Sequence, residues 1–286
     1  MRSAIAKHPA LTYFVVTFAI SWGGVLAILG PAGMSAPAAE FNRLFPIAVL
    51  TMVLGPSIAG LGMTGLVHGR AGLRALWSRM LRFRVAARWY ALALVVTPVY
   101  FTAVLLALAL SMSSPDLLPG IVASKHKVAL LVQGLAAALA AGLFEELGWT
   151  GFAVPTLRRR HGVFVTGLIV GVLWAAWHFL VKIWASEAFG LRSVMAADLT
   201  SAVLQLTGFR ILMVWVHDRS NSLLLAMLMH ASLTASTVIL EPLATGARLV
   251  NANLVLGSAP WVIIAVAALA GRRSARPHQH QRPAAT

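Results

Sequence analysis

Short basic or proline-bearing segments divide the chain into eight long apolar blocks, each close to the length that carries an α-helix across a bilayer. The blocks lie at about Leu11–Gly30, Leu44–Val67, Trp89–Met112, Val128–Val154, Val163–Trp184, Ala196–Val216, Leu223–Leu240 and Leu254–Ala270. Backbone inside hydrocarbon must satisfy its own N–H and C=O groups, so blocks of this length fold as helices and not as open sheet. The same pattern excludes a soluble globular chain: 11% of the residues are charged, where a soluble domain carries roughly 25%. The predicted fold class is all-α, a polytopic membrane protein of eight helices in which residues 1–286 form one integral-membrane domain. The first block follows Arg2 and Lys7 but exceeds the apolar stretch of a secretory signal, so it reads as a retained span.

The net charge of +15 does not point to nucleic acid, because the basic residues fall in the segments between blocks. Cytoplasmic loops of membrane proteins concentrate Lys and Arg in this way. With the N-terminus inside, the inner segments hold Arg2, Lys7, the six arginines from Arg70 to Arg88, Arg158 to Arg160, Arg219 and four tail arginines, which is 16 of the 23 basic residues. The outer segments hold Arg43, Lys125, Lys127, Lys182, Arg192 and Arg248, and Arg210 is left inside the sixth block. The expected orientation is N-in and C-in. Residues 69–88 carry Leu73, Leu76, Trp77 and Met80 at helical spacing among arginines and read as a basic interfacial helix, with 272–286 as a basic cytoplasmic tail. The lipid bilayer is therefore an expected partner, and the Arg- and Ala-rich composition suits a bacterial plasma membrane.

Two adjacent carboxylates, Glu145 and Glu146, lie inside the fourth block. A charge at that depth costs at least ~2.5–3.5 kcal/mol, which makes an intramembrane acid a functional candidate by default. On a regular helix neighbouring side chains project about 100° apart, so the two glutamates should not face one partner. Glu146 shares its face with Thr150, and Glu145 with Trp149. His178 in the fifth block has Trp174 one turn before it, and His230 in the seventh has Thr234 one turn after it. A carboxylate near imidazoles can serve as a general base on water.

The common hydrolase signatures are absent. The chain has no cysteine, no HExxH and no GxSxG. Two intramembrane aspartates are also lacking, since only Asp198 approaches a span. Gly60-Leu-Gly-Met-Thr-Gly65 spells GxGxxG, but it lacks the preceding strand and the following acid of a dinucleotide site, so its small residues read as a surface for close helix approach. Pro56, in Gly55-Pro-Ser57, reads as a helix kink.

Glu145-Glu146-Leu-Gly-Trp-Thr150-Gly-Phe152, Trp174 to His178 and His230 to Thr234 together resemble the CPBP or Abi family of membrane proteases, which includes type II CAAX prenyl endopeptidases and lysostaphin-resistance-like proteins. The family pattern is EExxxR in one span, FxxxH in the next and HxxxN or HxxxD later. The resemblance covers about Ala140 to Ala235, within a family core of about 128–240. Two positions depart from it: Thr150 stands at the usual arginine and Thr234 at the usual asparagine or aspartate.

The resemblance implies an intramembrane endopeptidase acting on a membrane-associated peptide or protein, of CAAX or bacteriocin-processing type. Glu145 would activate water with help from His178, Glu146 would orient the constellation, and His230 with Thr234 would stabilise the oxyanion. No cofactor is required on this reading; if zinc were used, Glu145, His178 and His230 would be its ligands. The two departures leave an alternative, a degenerate membrane protein serving peptide immunity or scaffolding. A proton-coupled transporter would need internal repeats, which the sequence lacks. One expectation conflicts with the others: at ~1.5 Å per residue, Glu145 and His230 fall ~12–14 Å from the inner span ends but His178 ~22 Å.

Overall fold

The computed structural model describes residues 7–30, 38–188 and 192–274. Among the described residues eight helices are long and apolar enough to cross a membrane. They are α1 (Pro9–Leu29), α2 (Ala38–Met80), α3 (Ala87–Ser111), α4 (Lys127–Arg158), α5 (Val163–Ala188), α6 (Met195–Ser220), α7 (Leu223–Leu240) and α8 (Gly246–Ser274). Among the described residues there is no strand. Each helix coincides with one apolar block, and together they define a multi-pass helical membrane protein.

The helices turn different faces to the bundle and to the outside. Leu11, Val15, Leu110, Val128, Leu139 and Val262 are exposed, as hydrocarbon-facing side chains should be. The buried core gathers the largest side chains, Tyr13, Trp149, Trp174 and Trp177, around the middle of α4. There α4 packs on α2 and α7, while α5 packs on α6, α6 on α8, α1 on α2 and α3 on α7. The α6–α7 connection is tight. Asn221 adopts a left-handed conformation (φ 50°, ψ 31°), and the Ser222 side chain accepts a hydrogen bond from Leu225 N. Asparagine and serine suit these two positions, the first tolerating left-handed backbone and the second capping a helix. This sharp reversal sets Arg210 and His230 at similar depth on antiparallel neighbours. Ser222 also donates to Arg82 O at 2.7 Å, tying the start of α7 to the α2–α3 connection.

The segment 69–88 is not one interfacial helix. Helix α2 runs on from the second span through a kink at Gly69 (φ 60°, ψ −158°) and ends at Met80. A non-helical connection follows, and Arg88 belongs to α3. Glycine permits the left-handed kink that turns the chain while helical pairing resumes beyond it. The expected basic tail of 272–286 lies outside the described residues from 275 onward.

Helix α4 is irregular where the glutamates sit. Ala141–Glu145 and Trp149–Ala153 are π-helical, with a short α segment, Glu146–Gly148, between them. Such wide turns are rare and concentrate at functional sites. Backbone packing holds this region: a Cβ built on Gly60 would lie 2.6 Å from Gly148 Cα. Ser57, just after Pro56, donates to Phe144 O. Within the GxGxxG spelling, Gly60 alone makes a close approach; a Cβ on Gly62 would meet nothing within 4 Å.

Candidate active site

The polar residues of α4, α6 and α7 converge in a volume closed on all sides. Glu145, Glu146, Thr150, Arg210 and His230 are each at most 2% exposed. Glu146 is the hub. Arg210 Nη1 donates to both of its carboxylate oxygens at 2.9 Å, and Thr150 donates to Oε2. His230 Nδ1 lies 2.8 Å from Oε1. Since a buried charge is tolerated only when paired, this set of partners accounts for an acid inside a span.

Glu145 has a separate set. Its Oε2 accepts from the indole N–H groups of Trp174 (2.8 Å) and Trp149 (3.3 Å). Its Oε1 faces His230 Nε2 at 3.9 Å. The two glutamates therefore do share a partner, against the expectation from a regular helix. His230 reaches Glu146 through one ring nitrogen and faces Glu145 with the other, and the π turns on either side of Glu146 alter the angular spacing that the expectation assumed.

Trp174 joins the two halves. Its edge donates to Glu145 while its face carries the Arg210 guanidinium, whose Cζ sits 4.0 Å from the ring centroid. Its ring also packs edgewise on His230, at 4.8 Å between centroids. The depth conflict is resolved by this residue. Trp174, one turn nearer the N-terminal end of α5 than His178, makes the contact with the glutamate. His178 stands behind it, 5.7 Å from the Trp174 ring and 4.7 Å from Trp177. Its Nδ1 is 2.8 Å from Trp174 O; a carbonyl only accepts, so Nδ1 carries the proton and Nε2 is bare in the neutral ring. Thr234 lies one turn beyond His230 and is half-buried; its carbonyl accepts from Thr237.

Glu145, Glu146 and His230 are thus brought together, with His178 at the second layer and Thr234 adjoining. Arg210, Trp149 and Trp174 belong to the same constellation, although the sequence reading gave none of them a role in the site. The signal for Arg210 was present: an arginine in mid-span needs a buried acid. A zinc ion would find histidines in the tautomers that metal ligands use. Yet among the described residues no three His, Asp or Glu side chains gather closely enough to hold one.

Fold and site define a polytopic membrane protein with a charged, wholly buried intramembrane centre. Residues 127–236 match the family model described as Type II CAAX prenyl endopeptidase Rce1-like. A curated relative, CAAX prenyl protease 2 of Methanococcus maripaludis, is 44% identical over 41 residues, which cover 14% of this chain and 15% of the relative. The similarity to type II CAAX prenyl endopeptidases lies in this segment, which contains Glu145, Glu146, Trp174, Arg210 and His230.

Proposed function

We propose that the protein is an intramembrane endopeptidase that hydrolyses a peptide bond of a membrane-associated protein or peptide with water activated by Glu145. The observation that carries the reading is the pairing of Glu145 Oε1 with His230 Nε2 across 3.9 Å. That gap is too long for a direct hydrogen bond and short enough for one water to bridge. Such a water donates to both atoms and turns an oxygen lone pair towards a scissile carbonyl.

Glu145 takes one proton as the water oxygen bonds to the carbonyl carbon. The tetrahedral intermediate collapses by breaking the C–N bond, and Glu145 returns the proton to the leaving amine. The indole donors on Oε2 hold the carboxylate so that Oε1 is the reactive oxygen. With Nδ1–H directed at Glu146, His230 orients the water; donation to the oxyanion falls to Thr234, one turn away. His178 assists through its bare Nε2. Arg210 supplies a guanidinium to Glu146 although position 150 is a threonine, which answers one of the two departures behind the degenerate reading.

The N-in and C-in orientation follows from the distribution of Lys and Arg. It puts the centre in the cytoplasmic half of a plasma membrane, and the substrate class is a CAAX-type or bacteriocin-like peptide presented at that face. The test is cleavage of a membrane-peptide library by the purified protein in bilayers, with and without chelator. Glu145→Gln and His230→Ala are expected to abolish cleavage, and chelation to leave it intact. Turnover by Glu145→Gln would reject the mechanism, and loss under chelation reversed by zinc would replace it with a metal-dependent one.

A further inference from the structure

We propose that Arg210 is a positioning residue that fixes the tautomer and aim of His230 by acting through Glu146. Its kinetic consequence rests on the hydrolytic reading, whereas its spectroscopic consequence does not.

Hydrogen-bond direction decides which ring nitrogen of His230 carries the proton. A guanidinium can only donate, and Arg210 Nη1 is 2.9 Å from both oxygens of Glu146. Thr150 adds a third donor on Oε2. A carboxylate met by donors on both oxygens is engaged purely as an acceptor, so His230 Nδ1, 2.8 Å from Oε1, must carry the proton between them. A neutral imidazole protonated at Nδ1 has a bare Nε2. Nε2 is the atom that faces Glu145. Among the described residues Arg210 is the only Lys or Arg paired with either glutamate.

Arg210 is itself placed by the site and not only by the fold. Its guanidinium rests on the face of Trp174, whose edge donates to Glu145. Yet its Nε and Nη2 are buried without a protein partner. An arginine retained for stability alone would satisfy those donors, because buried unpaired donors are costly. Its position follows Glu146 and the indole instead. Thr150 is one turn from Glu146 and 3.4 Å from Arg210 Nη1, so an arginine at 150 would reach the same carboxylate along α4. The guanidinium should therefore be transferable from one helix to the other.

The experiment is nitrogen NMR of histidine-labelled protein in bilayers, with His230 assigned by difference against His230→Gln, run beside cleavage kinetics. The wild type is expected to show a His230 ring protonated at Nδ1 and bare at Nε2. Arg210→Met is expected to mix the two tautomers and to lower kcat by at least about tenfold with KM unchanged. Arg210→Met combined with Thr150→Arg is expected to restore the wild-type spectrum and most of kcat. An unchanged His230 spectrum in Arg210→Met overturns the proposal, as does failure of the double variant to restore it. If Arg210→Met does not fold, the double variant decides: a folded protein with the wild-type spectrum upholds the proposal, and failure of both to fold makes Arg210 a structural residue. A tautomer shift in a protein that cleaves nothing would reject the protease reading while leaving the positioning role in place.

Discussion

Replacing Gly60 by alanine asks whether the site geometry depends on the close packing of α2 on α4. The new Cβ would lie 2.6 Å from Gly148 Cα and 2.9 Å from Leu147 O. Both atoms are backbone, so no rotamer change relieves the contact. Non-bonded carbons settle at ~3.5–4.0 Å, so α2 must withdraw by roughly 1 Å. Gly148 is two residues from Glu146, and a displacement of about 1 Å at a reacting centre costs on the order of 100-fold in rate. Overpacking should also cost ~1–3 kcal/mol of stability. Alanine's helix preference over glycine returns at most ~1 kcal/mol, so the overpacking term wins. Gly62→Ala is the control, since its Cβ meets nothing within 4 Å; it is expected to be neutral or slightly stabilising, with unchanged turnover. Cleavage rate and thermal unfolding of the two variants, measured side by side in one lipid, decide the matter. Wild-type turnover by Gly60→Ala, or equal losses in both variants, would refute the packing argument.

The two indole donors to Glu145 should differ in weight. Trp174→Phe keeps a ring under Arg210 but deletes a 2.8 Å hydrogen bond to a carboxylate. Such bonds contribute about 1.5–3 kcal/mol, so kcat is expected to fall roughly 10- to 100-fold. Trp149→Phe deletes the longer, 3.3 Å bond, and steady-state kinetics should show a smaller loss; the reverse ranking would mean that Trp174 does not hold Glu145 in its reactive orientation.

Much of this architecture was legible because hydrocarbon imposes strict rules on sequence. Eight apolar blocks became eight helices, since no other local structure satisfies the backbone at that depth. Glu145, Glu146 and His230 stood out for the same reason, as polar groups whose burial demands an explanation. What the sequence hid was geometry between helices. Glu146 and Arg210 are separated by 64 residues, and no local period links them. The π turns in α4 carry no residue signature that a regular 100° spacing would reveal, so the shared partner His230 was missed. The sequence reading broke the chain at Gly69, where α2 kinks, but the helix end at Met80 was obscured because arginines and apolar residues continue beyond it. His178 was weighted above Trp174 because histidine is the usual acid–base residue, yet it is the indole, one turn nearer the start of α5, that touches the glutamate.

The most direct test of glutamate-activated water is a single turnover in heavy-oxygen water, with enzyme in excess over a cleavable membrane peptide and both product and protein read by mass spectrometry. Direct attack by water is expected to put the heavy oxygen in the new carboxyl group of the product in that first turnover, with none in the segment bearing Glu145 and Glu146. An unlabelled first product, with heavy oxygen in that glutamate segment instead, would contradict the account and indicate a covalent acyl-glutamate intermediate.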